Sequence, residues 1–380
     1  MRVMQLVDSL ARAGAEQSLV SLAPHLVARG IDLHVAYLVE RNDLRDDLEQ
    51  AGIPVRSLAD GATSRRHWLA RTTDLISELQ PAVVHTTLFE ADLAGRRAAA
   101  RAGVPAVSSL VNTAYGRIES NRDGLKKTRL RAAQAVDAIT ARRVARFHAV
   151  THHVATVMSR RLMIPTSKIE VIPRGRDPQL LGRRSSERRA AARRRLGLSN
   201  ETPLVLAIGR QEPQKGFDVL LAAMPSVQAS RPDVRVFIAG REGRATTALK
   251  AQTASSDLAD TVTFLGMRDD VADLLVAADV FAFPSLWEGA GGTLLEAMAL
   301  ECPIVTSGLP TLLETVDHST AELVSPASAE DLARGLLAVL GDPETASKRV
   351  RAARVRFEEQ FSIQVCADRM AQLYSRVAAA

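Results

Sequence analysis

Aromatic residues make up only 4% of this 380-residue chain, with two tryptophans and three tyrosines. A core with so few rings has to close through small aliphatic side chains, so alanine-rich helix packing is expected. Cysteine is scarcer still. Cys302 and Cys366 alone cannot build a disulfide framework or a zinc site, which fits a reducing cytoplasm. No apolar run approaches the length of a membrane span. The first residues, MRVMQLVDSL, lack the long apolar region and cleavage site of a signal peptide and read as a first strand.

Several reaction motifs are missing too. HExxH and clustered Cys/His spacings do not occur, which disfavours a bound metal. Nor does Asp-x-Asp, which argues against a metal held by paired carboxylates to anchor a diphosphate. The first strand-to-helix turn has no GxGxxG, so a dinucleotide cofactor is disfavoured. Gly-x-Ser-x-Gly is absent, which argues against an α/β-hydrolase.

What is present is alternation. RVMQLVD, DLHVAYLV, AVVHTT, AVSSLV and RFHAVT are short apolar strands, with helical stretches such as EQSLVSLAPHLVARG and EADLAGRRAAARAG between them. The segment KIEVIPRGRDP closes this half with proline and glycine. After Pro203 the pattern restarts. Strands PLVLAIG, RVFIAG, TVTFLG, VFAFP, PIVTS and AELVS alternate with helices predicted at Phe217–Ala229, Ala245–Ala254, Asp269–Ala278 and Thr293–Leu300. Such a pattern is that of two parallel α/β sheets, with ligands expected at the carboxyl ends of the strands. The formal charge of +6 is concentrated in Arg183–Arg195, a hinge candidate with seven arginines against one glutamate, and in Arg117–Arg146. Charge runs of this kind are most often solvated, and the alternative is attraction to anionic lipid. No nucleic-acid fold signature accompanies the charge, so a nucleic-acid partner is disfavoured.

Three glycine turns carry the chemistry. The first is ARAGAEQSL, with Gly14 just ahead of a helix. In the second, AIGRQEPQKGFDVLL, Arg210 and Lys215 share one strand-to-helix loop, and two cations beside open backbone N–H groups suit a diphosphate. The third, PSLWEGAGGTLLEAMA (Pro284–Ala299), places Glu288 and Glu296 on either side of a glycine-rich turn and a helix start that the Thr293 hydroxyl is expected to cap. Glycines admit close backbone approach and a helix N-terminus favours an anion, while the carboxylates accept from hydroxyls. A molecule carrying both phosphate and sugar satisfies all of these groups.

Taken in order, these segments resemble the large family of retaining glycosyltransferases known as family four. AGAEQSL resembles its Gly-Gly-x-Glu turn, VIPRGRD its Ile-Pro-Asn-Gly-Val-Asp segment, and GRQEPQKGFDVLL its Gly-Arg…Lys-Gly loop. WEGAGGTLLEAMA is similar to its Glu-x7-Glu signature. The resemblance implies a GT-B fold: α/β, with two Rossmann-like domains facing each other across a cleft. Residues 1–182 would bind the acceptor and residues 200–361 the nucleotide sugar, and a C-terminal helix at about 362–380 would pack back on the first domain.

The same resemblance implies retaining, metal-independent transfer of a hexosyl unit, with no cofactor. The donor would be a nucleotide-diphosphate sugar, with UDP-sugars favoured over GDP-mannose. The acceptor would be a hydroxyl of a glycolipid, polysaccharide precursor or small metabolite. Arg210 and Lys215 would neutralise the diphosphate, Glu288 would bind donor-sugar hydroxyls and Glu296 the ribose. Backbone at Ala290, Gly291, Gly292 and Thr293 would meet sugar and phosphate, Gly14 would approach the phosphates, and Met267 and Arg268 would lie near the base. Ala13 stands where the family has its first glycine, and Arg174 where it has asparagine. The histidine usual after the fourth N-terminal strand is missing, so Asn112 or a backbone group is its candidate replacement, with His85 as a further cleft candidate. A cytoplasmic protein, peripheral on the inner face of the membrane, is the matching location. Two competing readings are a sugar-nucleotide epimerase on the same fold and a non-catalytic nucleotide- or polyanion-binding protein.

Overall fold

The computed structural model describes the whole chain except residues 60, 62, 63 and 116–126. The basic stretch Arg117–Arg146 therefore lies partly outside the described residues. The chain divides into two compact units, Met1–Gly175 with Ile363–Ala380, and Arg176–Ser362.

Seven parallel strands build the first unit: β1 (Arg2–Val7), β2 (Asp32–Tyr37), β3 (Val55–Ser57), β4 (Val83–Thr87), β5 (Ala106–Leu110), β6 (Arg146–Ala149) and β7 (Ile169–Val171). Their order is β3-β2-β1-β4-β5-β6-β7, so the sheet winds outward from β1 in one direction and then from β4 in the other. Strands β4 and β5 are buried along their whole length, as expected when helices cover both faces. The C-terminal helix, Ile363–Ala378, buries Ile363, Cys366, Ala367, Met370, Leu373, Tyr374 and Val377. That three-and-four spacing makes one apolar face. It joins Leu19, Ala23 and Leu26 of the helix Gly14–Val27 and Val3, Val83 and Val107 of the sheet in one core.

In the second unit the parallel strands are β8 (Leu204–Ile208), β9 (Arg235–Ala239), β10 (Val262–Gly266), β11 (Val280–Phe283), β12 (Ile304–Ser307) and β13 (Glu322–Val324). The order β10-β9-β8-β11-β12-β13 reverses between β8 and β11. At such a switch point the turns leaving two adjacent strands diverge and open a crevice at their carboxyl ends. Helices at Phe217–Ser230, Thr246–Ser255, Val271–Ala277 and Gly292–Ala299 agree with the predicted ones to within two residues at each end. Among the described residues, no helix is long and apolar enough to cross a membrane.

The arginine run is neither a linker nor a solvated face. It forms the helix Ser186–Arg195, whose side chains reach the C-terminal end of the helix Val271–Ala277. Arg189 and Arg193 each donate to the Ala277 carbonyl at 2.7 Å, and Arg184 donates to Ala278 O at 3.1 Å. Carboxylates take up the rest of the charge: Asp273 with Arg188 and Arg195, Asp279 with Arg189 and Arg193. Cations at a helix C-terminus satisfy orphan carbonyls and oppose the negative end of the dipole. Five of the seven arginines thus serve the fold of the second unit. The junction between units lies earlier, where the backbone N–H of Arg176 donates to Phe361 O at 3.0 Å and Arg176 bridges Ser362. Residues 176–182, expected with the first half, accordingly belong to the second.

Candidate functional site

The loops after β8 and β11 are locked together at the switch point. The chain leaves β8 through a short 3-10 turn, Pro213–Lys215, and enters the helix Phe217–Ser230 at Gly216, which adopts a left-handed conformation with φ 63°. A Cβ there would lie 2.1 Å from the Pro284 carbonyl oxygen, so only glycine lets the two loops touch. Leu286 N–H donates to Gln214 O at 2.8 Å, and the Gln214 amide donates to Trp287 O at 2.9 Å. This frame aims Lys215 at Glu288. The two side chains form an ion pair, 21% and 9% exposed, with Lys215 Nζ also 5.2 Å from the centre of the Phe283 ring. Ser285 Oγ donates to the same Glu288 oxygen at 3.2 Å, and Thr311 Oγ1 donates to the Glu288 carbonyl at 3.0 Å.

Glu296 lies further on, inside the helix Gly292–Ala299. That helix begins at Gly291, in a left-handed conformation with φ 59°, and no side chain caps it. Thr293 is therefore not the cap that the sequence suggested. It is the second residue of the helix, because the glycine turn starts the helix earlier than a threonine cap would allow. Leu294 N–H donates to the Gly291 carbonyl at 3.0 Å, while the N–H groups of Gly292 and Thr293 receive no side-chain cap among the described residues, and an anion suits them. Ala290 is buried, while Gly292 and Thr293 are half-buried. Glu296 pairs with Arg176, whose Nε lies 2.7 Å from Oε1, the two side chains being 17% and 19% exposed. Sequence reasoning did not single out Arg176.

Arg210 projects from the same loop with 44% of its side chain exposed, and Glu212 stands between it and Arg244, at 3.8 and 2.8 Å respectively. Burial raises the Glu212 carboxyl, but Arg244 and Arg210 outweigh it and hold the group below its ordinary value. Glu212 therefore stays ionised and keeps Arg210 over the loop. Met267 and Arg268 follow β10, on the same sheet edge but three strands from β11, or about 14 Å at ordinary strand spacing. Met267 is 63% exposed, and Arg268 makes a two-bonded pair with Asp270 at 2.8 and 2.6 Å. The structure thus gathers Lys215, Glu288, Gly291, Gly292 and Glu296 closely, keeps Arg210 on the same loop as Lys215, and sets Met267 and Arg268 apart along the edge.

The remaining candidates belong to the first unit. Gly14 opens the helix Gly14–Val27, and Ala13 before it is extended (φ −127°), a conformation that needs no glycine. A Cβ on Gly14 would lie 2.9 Å from Arg174 Nη1. Burial raises the Glu16 carboxyl in the same turn, an effect that Arg174 opposes. Asn112 is exposed in the turn after β5. His85 is not the cleft-facing side chain expected. It is 2% exposed and lines a cavity of about 60 Å3 between the sheet, the helix Gly14–Val27 and the C-terminal helix.

The hydrogen bonds of His85 run in one direction. The Ile172 carbonyl can only accept, so His148 Nε2–H donates to it at 2.8 Å and His148 Nδ1 accepts from Ser109 at 2.9 Å. Ser109 Oγ then accepts from His85 Nε2–H at 2.8 Å, and His85 Nδ1 accepts the Tyr374 hydroxyl at 2.6 Å. Only neutral rings allow this chain. Burial pushes His85 down to about 3 and His148 down to about 4. Both rings are expected to remain neutral Nε2–H tautomers from about pH 5 to 8, charging only below that range. Nitrogen-15 ring shifts through a pH titration check this, and a midpoint near the ordinary value of about 6.5 would contradict it.

A doubly wound unit with cations and an uncapped helix start at its switch point is an architecture common to nucleotide-binding α/β proteins. Residues 12–180 match the family described as Glycosyltransferase Family 4, and residues 188–356 the one described as Glycosyl transferases group 1. This chain belongs to the family-four glycosyltransferases, and its fold is GT-B. It is similar to the crystal structure of Anabaena Alr3699/HepE in complex with UDP, with a TM-score of 0.85 and 22% identity over 99% of this chain and 100% of that one. Sucrose-phosphate synthase from Thermosynechococcus elongatus matches with a TM-score of 0.81 and 20% identity over 100% of both chains. Among curated relatives, the GDP-mannose-dependent monoacylated alpha-(1-6)-phosphatidylinositol monomannoside mannosyltransferase of Corynebacterium glutamicum is 31% identical over 54% of this chain and 55% of that protein. The 2-deoxystreptamine glucosyltransferase of Streptomyces kanamyceticus is 28% identical over 64% of this chain and 63% of that protein. The chain thus spans between half and two-thirds of the length of these two relatives.

Proposed function

We propose that this protein transfers a hexosyl unit, with retention and without a metal, from a nucleoside-diphosphate sugar to a hydroxyl acceptor. The observation that carries this reading is the Lys215–Glu288 pair, set at the switch point beside the uncapped start of Gly292–Ala299. A diphosphate draws on Lys215, Arg210 and the free N–H groups, while the sugar hydroxyls turn to Glu288. Glu296 receives the ribose, and the edge at Met267 and Arg268 receives the base. Backbone at Ala290–Thr293 meets sugar and phosphate.

In the reaction the bond from the anomeric carbon to the β-phosphate oxygen breaks while the acceptor oxygen bonds to the same face of that carbon. The departing phosphate takes the acceptor proton, so no protein base is needed, and cations and helix N–H groups stabilise the charge that develops. UDP-sugars remain the favoured donor, supported by the UDP-bound Anabaena structure. The corynebacterial relative's dependence on GDP-mannose keeps that donor second. The acceptor is a glycolipid, polysaccharide precursor or small metabolite met in the cytoplasm or at the inner face of the membrane.

Water serves as a slow substitute acceptor. Incubation with UDP-, GDP- and ADP-sugars in excess chelator is expected to release nucleoside diphosphate from one of them, the free sugar appearing first with the donor's own anomeric configuration by proton NMR. Conversion into a second sugar nucleotide would identify an epimerase, and first appearance of the opposite anomer would contradict retention.

A further inference from the structure

Three glycines meet at the carboxyl edge of the second sheet. Gly209 follows β8, Gly240 follows β9 and Gly266 ends β10. Strand β9 lies between the other two. The loop carrying Arg210 and Lys215 and the edge carrying Met267 and Arg268 therefore stand about 10 Å apart, with the Gly240 turn between them. That turn is packed on both sides. Gly240 N–H donates to Gly266 O at 2.7 Å, and Gly209 N–H donates to Ala239 O at 2.9 Å. A Cβ on Gly240 would fall 2.0 Å from the Gly209 carbonyl oxygen and 3.3 Å from Arg210 N, and φ 141° is a conformation that alanine avoids. Further along, Gln211 N–H donates to Arg241 O and Ala245 N–H to Gln211 O, both at 3.0 Å. On the other flank β10 carries an extra residue, Leu265, since Phe264 pairs with Ile238 and Gly266 with Ala239. A bulge of this kind re-aims the chain just before Met267.

We propose that Gly240 is a positioning residue of the donor site: it holds the loop after β8 and the loop after β10 at the separation that lets a single nucleoside diphosphate reach both. This rests on the donor-site reading above, in which the first loop takes the diphosphate and the second the base. Gly240 acts through its neighbours. The turn cannot retreat toward β10 without crushing a hydrogen bond already at 2.7 Å, so a methyl group at Gly240 has to push the Gly209–Arg210 peptide away. A ligand held at two places gains over its halves only while both places stay in reach together, because the second contact is then intramolecular. Widening the gap removes that gain and leaves each place able to take its own fragment. A residue that only supported the fold would weaken fragments and whole ligand alike.

The test is calorimetric titration of the full chain, in chelator, first with UDP, GDP and ADP. The diphosphate that binds best is then compared with its own nucleoside and with inorganic pyrophosphate, on the wild type and on Gly240→Ala. Val236→Ala, at a fully buried position of β9 away from the edge, is the control for lost stability. Far-UV circular dichroism and thermal melting check that each variant is folded. Gly240→Ala is expected to weaken the nucleoside diphosphate by about 10- to 100-fold and each fragment by less than about threefold, while Val236→Ala leaves all three affinities unchanged. Gln211→Leu removes the amide that donates to Gly240 O at 3.4 Å without adding bulk at the junction, and should show the same order of losses more weakly. It carries the test if Gly240→Ala does not fold. Equal losses for whole ligand and fragments, or the same pattern in Val236→Ala, would overturn the positioning role. Unchanged diphosphate affinity in folded Gly240→Ala, or in Gln211→Leu where that variant stands in, would overturn the inference alone. Failure of the wild type to bind any of the three diphosphates would overturn the donor-site reading and this inference together.

Discussion

Replacing Lys215 with alanine is expected to lower kcat/KM for sugar transfer by roughly two to three orders of magnitude, the loss seen when one donor to a developing oxyanion is removed. Two effects combine. The leaving diphosphate loses a cation held in place by Glu288 and by the face of Phe283. The Glu288 side chain, 9% exposed, then keeps, among the described residues, only the Ser285 hydroxyl as a side-chain partner, and its unbalanced charge repels the incoming phosphates. Both the ground state and the transition state suffer, so KM should rise as kcat falls. Steady-state kinetics on the donor identified by the chelator screen gives the split. A variant within about threefold of wild type in kcat/KM would remove Lys215 from the diphosphate role.

Gly216→Ala is expected to be among the most damaging single methyl additions in the second unit. The left-handed conformation at φ 63° costs an alanine about 1 kcal/mol or more. The added Cβ would also sit 2.1 Å from the Pro284 carbonyl oxygen, a contact that only backbone movement relieves. Together these should destabilise the unit by about 4 kcal/mol, combining left-handed strain with overpacking. The movement would also draw Lys215 away from Glu288, so donor binding should fail even in the fraction that remains folded. Gly266→Ala isolates the steric part, because Gly266 is also left-handed, at φ 68°, yet nothing lies within 4 Å of its added Cβ. Urea denaturation should give a loss of about 1 kcal/mol for Gly266→Ala. Equal losses for the two variants would mean that the close approach to Pro284 does not matter.

The parts of this site that the sequence reveals are those confined to one strand, one turn and one helix. Arg210 with Lys215, and Glu288 with Glu296, are each readable because a buried strand, a glycine turn and a helix follow one another without interruption. Strands β3 and β7 were not singled out, since VRS and IEV have three residues each and show too little alternation to register. Long-range partners were hidden for a different reason. Arg176 meets Glu296 across 120 positions, and Tyr374 meets His85 across 289. No local pattern announces either contact. His85 looks like a cleft residue if AVVHTT is read as ending near it, but it sits in the middle of β4, and the docking of the C-terminal helix makes it an internal hydrogen-bond donor and acceptor. The arginine run misled through composition. Its cations look solvated until folding brings them to the carbonyls of Val276, Ala277 and Ala278. Thr293 misled through a sound rule, since threonine does favour helix starts, but Gly291 supplies the left-handed turn first.

The central claim is that one edge of the second unit binds the diphosphate and the sugar of a nucleotide donor without a metal. Its most direct test is calorimetric titration in excess chelator with UDP-, GDP- and ADP-sugars, on the wild type and on Lys215→Ala and Glu288→Ala. One sugar nucleotide should bind the wild type, with affinity lost at least about tenfold in each folded variant. Binding that appears only when a divalent cation is added, or that both variants retain in full, would contradict the account.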